Sequence, residues 1–141
     1  MKVFFDTSVL VAAFWGDHPH HAPSLKALSL SKKTQATCST HSLAEVYAVM
    51  THLPVKPLIP AEQAMLFITD IRERLTIVPL TTADYETALR KASARGIVGG
   101  RIYDALLLHV AAKTKAAKIY TWNVDHFQHI SPELSDRITT P

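Results

Sequence analysis

The chain has 141 residues, of which 48% are apolar and 19% charged, with 15 Lys and Arg, 12 Asp and Glu, 4 Gly and 8 Pro. This is the profile of one compact soluble domain spanning 1–141, and it excludes a disordered or collagen-like chain. A domain of this size buries roughly two-thirds of its unfolded surface, so any metal it binds is functional and not a folding staple.

Lys2 precedes a largely apolar run from Val3 to Trp15, but Asp6, Thr7 and Ser8 interrupt it. No segment supplies the ~20 uncharged residues of a membrane span. The sole cysteine, Cys38, rules out an intrachain disulfide, and a cytoplasmic location with no membrane partner is expected. The formal charge of +3 is unevenly spread: seven bases fall between Thr87 and Val124 against one acid, Asp104. A basic face of this kind suits a polyanion such as nucleic acid.

In chain order, Val3–Phe5, Ala36–Cys38, Leu75–Val78 and Lys118–Thr121 read as short buried strands. Helical patterns separate them. Leu25 and Leu28 mark one helix, and Leu43, Val46, Tyr47 and Met50 mark another. A third follows Pro60, a fourth follows a Thr81/Asp84 capping box, and a fifth runs from Ile102 to Ala112. Alternation of this kind predicts a three-layer α/β/α sandwich with a mostly parallel sheet, whose crevice opens beyond the carboxyl ends of the strands.

Four places put an acid or amide oxygen on that rim. Asp6 ends the first strand, where it serves either as helix cap or as site residue. Asp104 lies in the first turn of an almost wholly apolar helix, where an unpaired charge is costly, so it needs Arg101 or a cation as partner. Glu45 points away from its helix's apolar stripe. Asn123 and Asp125 follow the last strand. Gathered together, these carboxylates repel one another unless a hard divalent cation, Mg²⁺ or Mn²⁺, neutralises them. Setting Asp6, Glu45, Asp104 and Asp125 aside leaves 8 acids against 15 bases. An acidic metal pocket in a basic surround is what phosphodiester cleavage requires. Gly99 and Gly100 are expected to shape the turn that aims Asp104, and Arg95 and Arg101 flank it as candidate grips on an RNA backbone. His18, His20 and His21 are expected in a polar loop before the next helix, His126 and His129 on the surface, and Trp15 and Trp122 either in packing or stacked on bases.

Four segments carry a resemblance across essentially the whole chain: Phe4-Phe5-Asp6-Thr7-Ser8, Ser42-Leu43-Ala44-Glu45-Val46, Gly100-Arg101-Ile102-Tyr103-Asp104-Ala105-Leu106, and Thr121-Trp122-Asn123-Val124-Asp125-His126-Phe127. In order and spacing the chain resembles the PIN-domain ribonucleases, most closely the VapC-type toxins. The resemblance implies that Asp6, Glu45 and Asp104 hold the catalytic Mg²⁺ or Mn²⁺, supported by Thr7, Ser8 and Thr121. The second residue after that threonine is often Asp in the family; here it is Asn123, with Asp125 two further on. Asp125 is favoured as the fourth ligand or water-holder, Asn123 close behind. The resemblance further implies endonucleolytic RNA cleavage, a homodimer, and inhibition by a small antitoxin. Rival readings are a non-catalytic RNA-binding or antitoxin-binding relative, a DNA-directed nuclease, and a receiver-type signalling domain; the last lacks an acid at the end of Leu75–Val78.

Overall fold

The computed structural model describes residues 2–141. Five strands, β1 (Val3–Phe5), β2 (Ala36–Ser39), β3 (Thr76–Val78), β4 (Lys118–Tyr120) and β5 (Ile138–Thr139), form one sheet in the order β3-β2-β1-β4-β5. Every pairing is parallel. Four strands lie where the apolar runs predict them. β5, two residues long, is too short to leave a pattern.

Parallel neighbours cannot be joined by tight turns, so helices make the crossovers. They are α1 (Thr7–Phe14), α2 (His21–Ser29), α3 (Thr40–Met50), α4 (Ala61–Arg74), α5 (Thr82–Ala94), α6 (Arg101–Lys113) and α7 (Val124–Ile130). No helix among the described residues is long and apolar enough to cross a membrane. The predicted capping box opens α5: the Thr81 amide donates to Asp84 Oδ2 at 2.9 Å, and the Asp84 amide to Thr81 Oγ1 at 3.1 Å. Lys113 Nζ also donates to Asp84 Oδ2 at 2.7 Å, which ties α5 to α6 and holds that carboxyl well below the usual range.

Adjacent residues of a strand face opposite sides, and β1 uses this to seed two cores. Phe5 packs with Val9, Leu10, Val46, Met50 and Ile71 from α1, α3 and α4. Phe4 packs with Leu107, Leu108, Phe127 and Ile130 from α6 and α7. Both rings are fully buried, each stabilising the fold by about 1.5–3 kcal/mol. The almost wholly apolar α6 is buried as predicted, through Leu106, Leu107, Leu108, Val110 and Ala111.

The chain runs outward from β1 through β2 to β3, then returns to place β4 on the other side of β1. The strand order therefore reverses at β1/β4, the place where open parallel sheets form their binding crevice. Asp6 and Thr121 immediately follow those two strands.

Candidate active site

The Asp6 amide donates to the Tyr120 carbonyl at 2.9 Å, clamping the end of β1 to β4. Asp6 occupies the N-cap position of α1, yet its carboxylate makes no capping bond. Instead its Oδ2 accepts from Ser8 Oγ at 2.7 Å and from Thr121 Oγ1 at 2.8 Å. The residue is only 3% exposed. Burial pushes the carboxyl up to about 6; the two hydroxyls oppose the rise, and the charge of Asp104 adds to it.

Glu45 reaches the same place from α3. Its Oε1 accepts from Thr7 Oγ1 at 2.8 Å, and His41 Nε2 lies 3.8 Å away. Thr7 Oγ1 is also 2.9 Å from the buried Ser42 Oγ, so α1 and α3 are joined under the acid. Asp104, in the first turn of α6, pairs through Oδ2 with His126 Nε2 at 2.9 Å. The protein partner of Asp104 is thus His126, not Arg101. Gly99, with φ +64°, supplies the left-handed turn before α6, whereas Gly100 is in ordinary helical conformation and needs no glycine freedom.

Asp6, Glu45, Asp104 and Asn123, with Thr7 and Ser8, line one cleft of about 320 Å³. His18 also lines it, held below the usual histidine range by desolvation and by the charges of His20 and His21. Asp125, the favoured fourth ligand, is exposed and does not line the cleft. The reason is helical geometry. Asn123 is the N-cap of α7, and a residue two positions on is turned roughly 200° away around the helix. The Asn123 side chain makes no capping bond, which leaves it free toward the cleft.

Arg95 lies away from this cleft. It donates to the Ile130 carbonyl at 2.9 Å and to Glu133 Oε2 at 3.2 Å, in a separate hollow between α5 and α6. Charge count alone does not register such an internal partner. Arg101 is exposed, one turn before Asp104, with no ion pair among the described residues. His18 lies in the loop before α2 and lines the cleft, and His126, 39% exposed at its side chain, pairs with Asp104; isolated histidines carry no periodic signal that reveals such partners. Cys38 is a buried strand residue, and burial pushes its thiol up to about 12.

Among the described residues, no three His, Cys, Asp or Glu side chains already converge as a ready-made metal cage. The donor set nevertheless fits a hard cation. It is all oxygen, it includes a carboxylate raised mainly by burial and further by the charge of Asp104, and Glu45 and Asp104 retain 32% side-chain exposure, which leaves them room to turn inward.

The hydroxyl clamp on Asp6 makes a prediction. Thr121→Val removes one donor from a buried carboxylate and is expected to cost about 1.5–3 kcal/mol at a pH well above 6, where Asp6 is ionised. The cost is expected to shrink on acidification, as Asp6 takes up its proton. Urea titrations of both proteins at alkaline and acidic pH measure the difference; an equal cost at both contradicts it.

The chain matches the PIN domain over residues 3–131. It is 31% identical to Ribonuclease VapC40 of Mycobacterium tuberculosis over 116 residues, 82% of either chain. It is also 31% identical to Ribonuclease VapC27 of the same organism over 112 residues, 79% of this chain and 77% of that one. In fold it is similar to M. tuberculosis VapC20, described as a Sarcin-Ricin loop cleaving toxin, with a TM-score of 0.70, 20% identity, and 89% and 92% of the two chains covered. It is also similar to VapBC2 from Rickettsia felis, solved bound to a DNA fragment from its promoter, with a TM-score of 0.67, 18% identity, and 99% and 98% covered. The strand-end acids and these matches agree, and the chain belongs to the PIN-domain family as a relative of the VapC ribonucleases.

Proposed function

We propose that this protein is a Mg²⁺- or Mn²⁺-dependent endoribonuclease acting as the toxin of a toxin–antitoxin pair. The observation that carries this reading is the buried Asp6 carboxylate at the β1/β4 reversal, sharing one cleft with Glu45, Asp104 and Asn123. The kinship with VapC40 and VapC27, both ribonucleases by name, supports RNA as the substrate. The VapBC2 assembly supports a small antitoxin as partner. Leu58, Met65 and Leu66, all exposed, offer apolar surface for a homodimer or for that antitoxin. The lone buried Cys38 suits action in a reducing cytoplasm.

Asp6, Glu45 and Asp104 hold the ion in this reading, with Asn123 as a neutral fourth oxygen in place of a carboxylate. When bound, the ion supplies an activated water and offsets charge on the phosphate. Ser8 and Thr121 keep Asp6 oriented and favour its ionised form, Thr7 orients Glu45, and His126 fixes one oxygen of Asp104. Arg101 steadies the RNA backbone. Water adds to phosphorus in line, the P–O3′ bond breaks, and the proton passes to O3′, which leaves a 5′-phosphate and a 3′-hydroxyl.

Incubation of the purified protein with structured RNAs tests this directly. Cleavage is expected in Mn²⁺ or Mg²⁺ and none in EDTA, with 5′-phosphorylated products. Cutting that persists under chelation overturns the reading.

A further inference from the structure

Two aromatic–histidine stacks flank the acidic cleft, one beside Glu45 and Asp104 and one beside His18 and Asn123; Trp122 rests with part of its ring on the core, while Tyr103 and His20 are exposed. On one side, His41 and Tyr103 lie nearly parallel, with ring centroids 5.6 Å apart and planes at 10°. They bridge the two helices that carry the acids: Tyr103 immediately precedes Asp104, and His41 is one helical turn before Glu45. Tyr103 is 52% exposed, so the pair stands largely in solvent and buries little. Its hydroxyl makes no hydrogen bond among the described residues.

On the other side, His20 lies flat on Trp122, with centroids 3.8 Å apart and planes at 8°. Trp122 is held in place from two directions. Its indole Nε1 donates to the buried Ser24 Oγ at 2.8 Å, and its amide donates to Ser8 Oγ at 3.0 Å, the hydroxyl that also serves Asp6. His20 is exposed, and its ring is 5.7 Å from that of His18 on the cleft wall. Trp122 immediately precedes Asn123. Each stack is therefore fixed one residue, or one helical turn, from a group that faces the phosphate.

Flat rings presented to solvent beside a phosphate-binding cleft are the hardware of single-strand recognition: every base has a π-face, and stacking makes no demand on its hydrogen-bonding edge. A paired base has both faces covered by its neighbours and cannot use them. We propose that the His41–Tyr103 and His20–Trp122 stacks are base-stacking platforms that hold the unpaired nucleotides on either side of the scissile phosphate. Stacking on these rings supplies affinity for the bases that flank the cut. This rests on the ribonuclease reading above.

The probes are a fluorescein-labelled ten-nucleotide oligoadenylate, a base-free ribose-phosphate strand of the same length and charge, and an RNA duplex. Binding is read by anisotropy in Mg²⁺ on the cleavage-silenced Asp6→Asn protein. The oligoadenylate is expected to bind about tenfold or more tightly than the base-free strand, with the duplex no better than the latter. Tyr103→Leu and His20→Ala, both at exposed positions, are each expected to lose most of that preference with unchanged melting temperature, and Tyr103→Phe to keep it. Equal binding of the base-bearing and base-free strands, or a preference that survives both substitutions, overturns the platforms. Cleavage by the wild-type protein in Mn²⁺ is scored alongside. Cleavage without base preference overturns the platforms alone, and failure to cut any RNA overturns the nuclease reading with them.

Discussion

Asp6→Asn is expected to lower RNA cleavage roughly a thousandfold or more and, in metal-free buffer above pH 6, to make the protein more stable than its parent. The two effects share a cause. Below the ordinary carboxylate value of 3.8, Asp6 is protonated in both folded and unfolded chains and contributes no difference. Between 3.8 and about 6 the unfolded chain ionises first, the folded state holds the extra proton, and stability falls as pH rises. Above about 6 the full penalty stands, on the order of 3 kcal/mol as an upper bound for a residue this buried. Asparagine removes the charge but keeps a carbonyl oxygen, and both hydroxyl bonds go to a single oxygen, so Ser8 and Thr121 retain their acceptor. A rise of several degrees in melting temperature at alkaline pH, absent at acidic pH, is the expected signature. A variant that melts lower than the parent across this range refutes the assignment of Asp6 as a strained acid.

Glu45→Gln and Asp104→Asn are expected to cost about a hundredfold or more each in cleavage, and to remove the stabilisation that Mn²⁺ confers. Saturating a single site at about 100 times its dissociation constant stabilises the folded state by about 2.7 kcal/mol, easily read as a thermal shift. The parent is expected to show that shift. Both variants keep their local partners, because a glutamine oxygen still accepts from Thr7 and an asparagine oxygen can still meet His126. Asp104→Asn also removes the like charge that helps raise Asp6, so its Asp6 carboxyl is expected to move back toward the ordinary range. Full Mn²⁺ stabilisation in either variant is incompatible with that residue being a ligand.

The layered parallel fold was legible because β-branched and aromatic runs alternate with helix-period segments, and because burial on both sheet faces leaves those runs unbroken. Asp6 and Asp104 were legible as rim acids for the same reason: strand ends and helix starts can be placed from pattern alone. What was lost depends on which way a side chain turns. In α3 the apparent apolar stripe includes Tyr47, which is 37% exposed, whereas the positions actually buried are Ser42, Val46 and Met50. A polar residue on the true inner face hid its orientation, so Glu45 read as facing solvent. Asp125 and Asn123 were ranked by charge, but the first turn of α7 carries Asp125 outward and leaves the neutral Asn123 at the cleft. Arg95 and His126 differ only in their partners, a carbonyl and Glu133 for one and Asp104 for the other, and partnerships between segments leave no local trace.

The central position of β1 has a consequence for synthesis. The hydroxyl that clamps Asp6 is made 115 positions after it, and β1 keeps one unpaired edge until β4 docks. A nascent chain that ends before α6 carries Asp6 and Glu45 with the Ser8 and Thr7 hydroxyls that hold them, but it lacks Asp104 and the Thr121 clamp. The rim of the cleft is therefore assembled only when β4 pairs with β1, so translation order makes its closure a late event in folding.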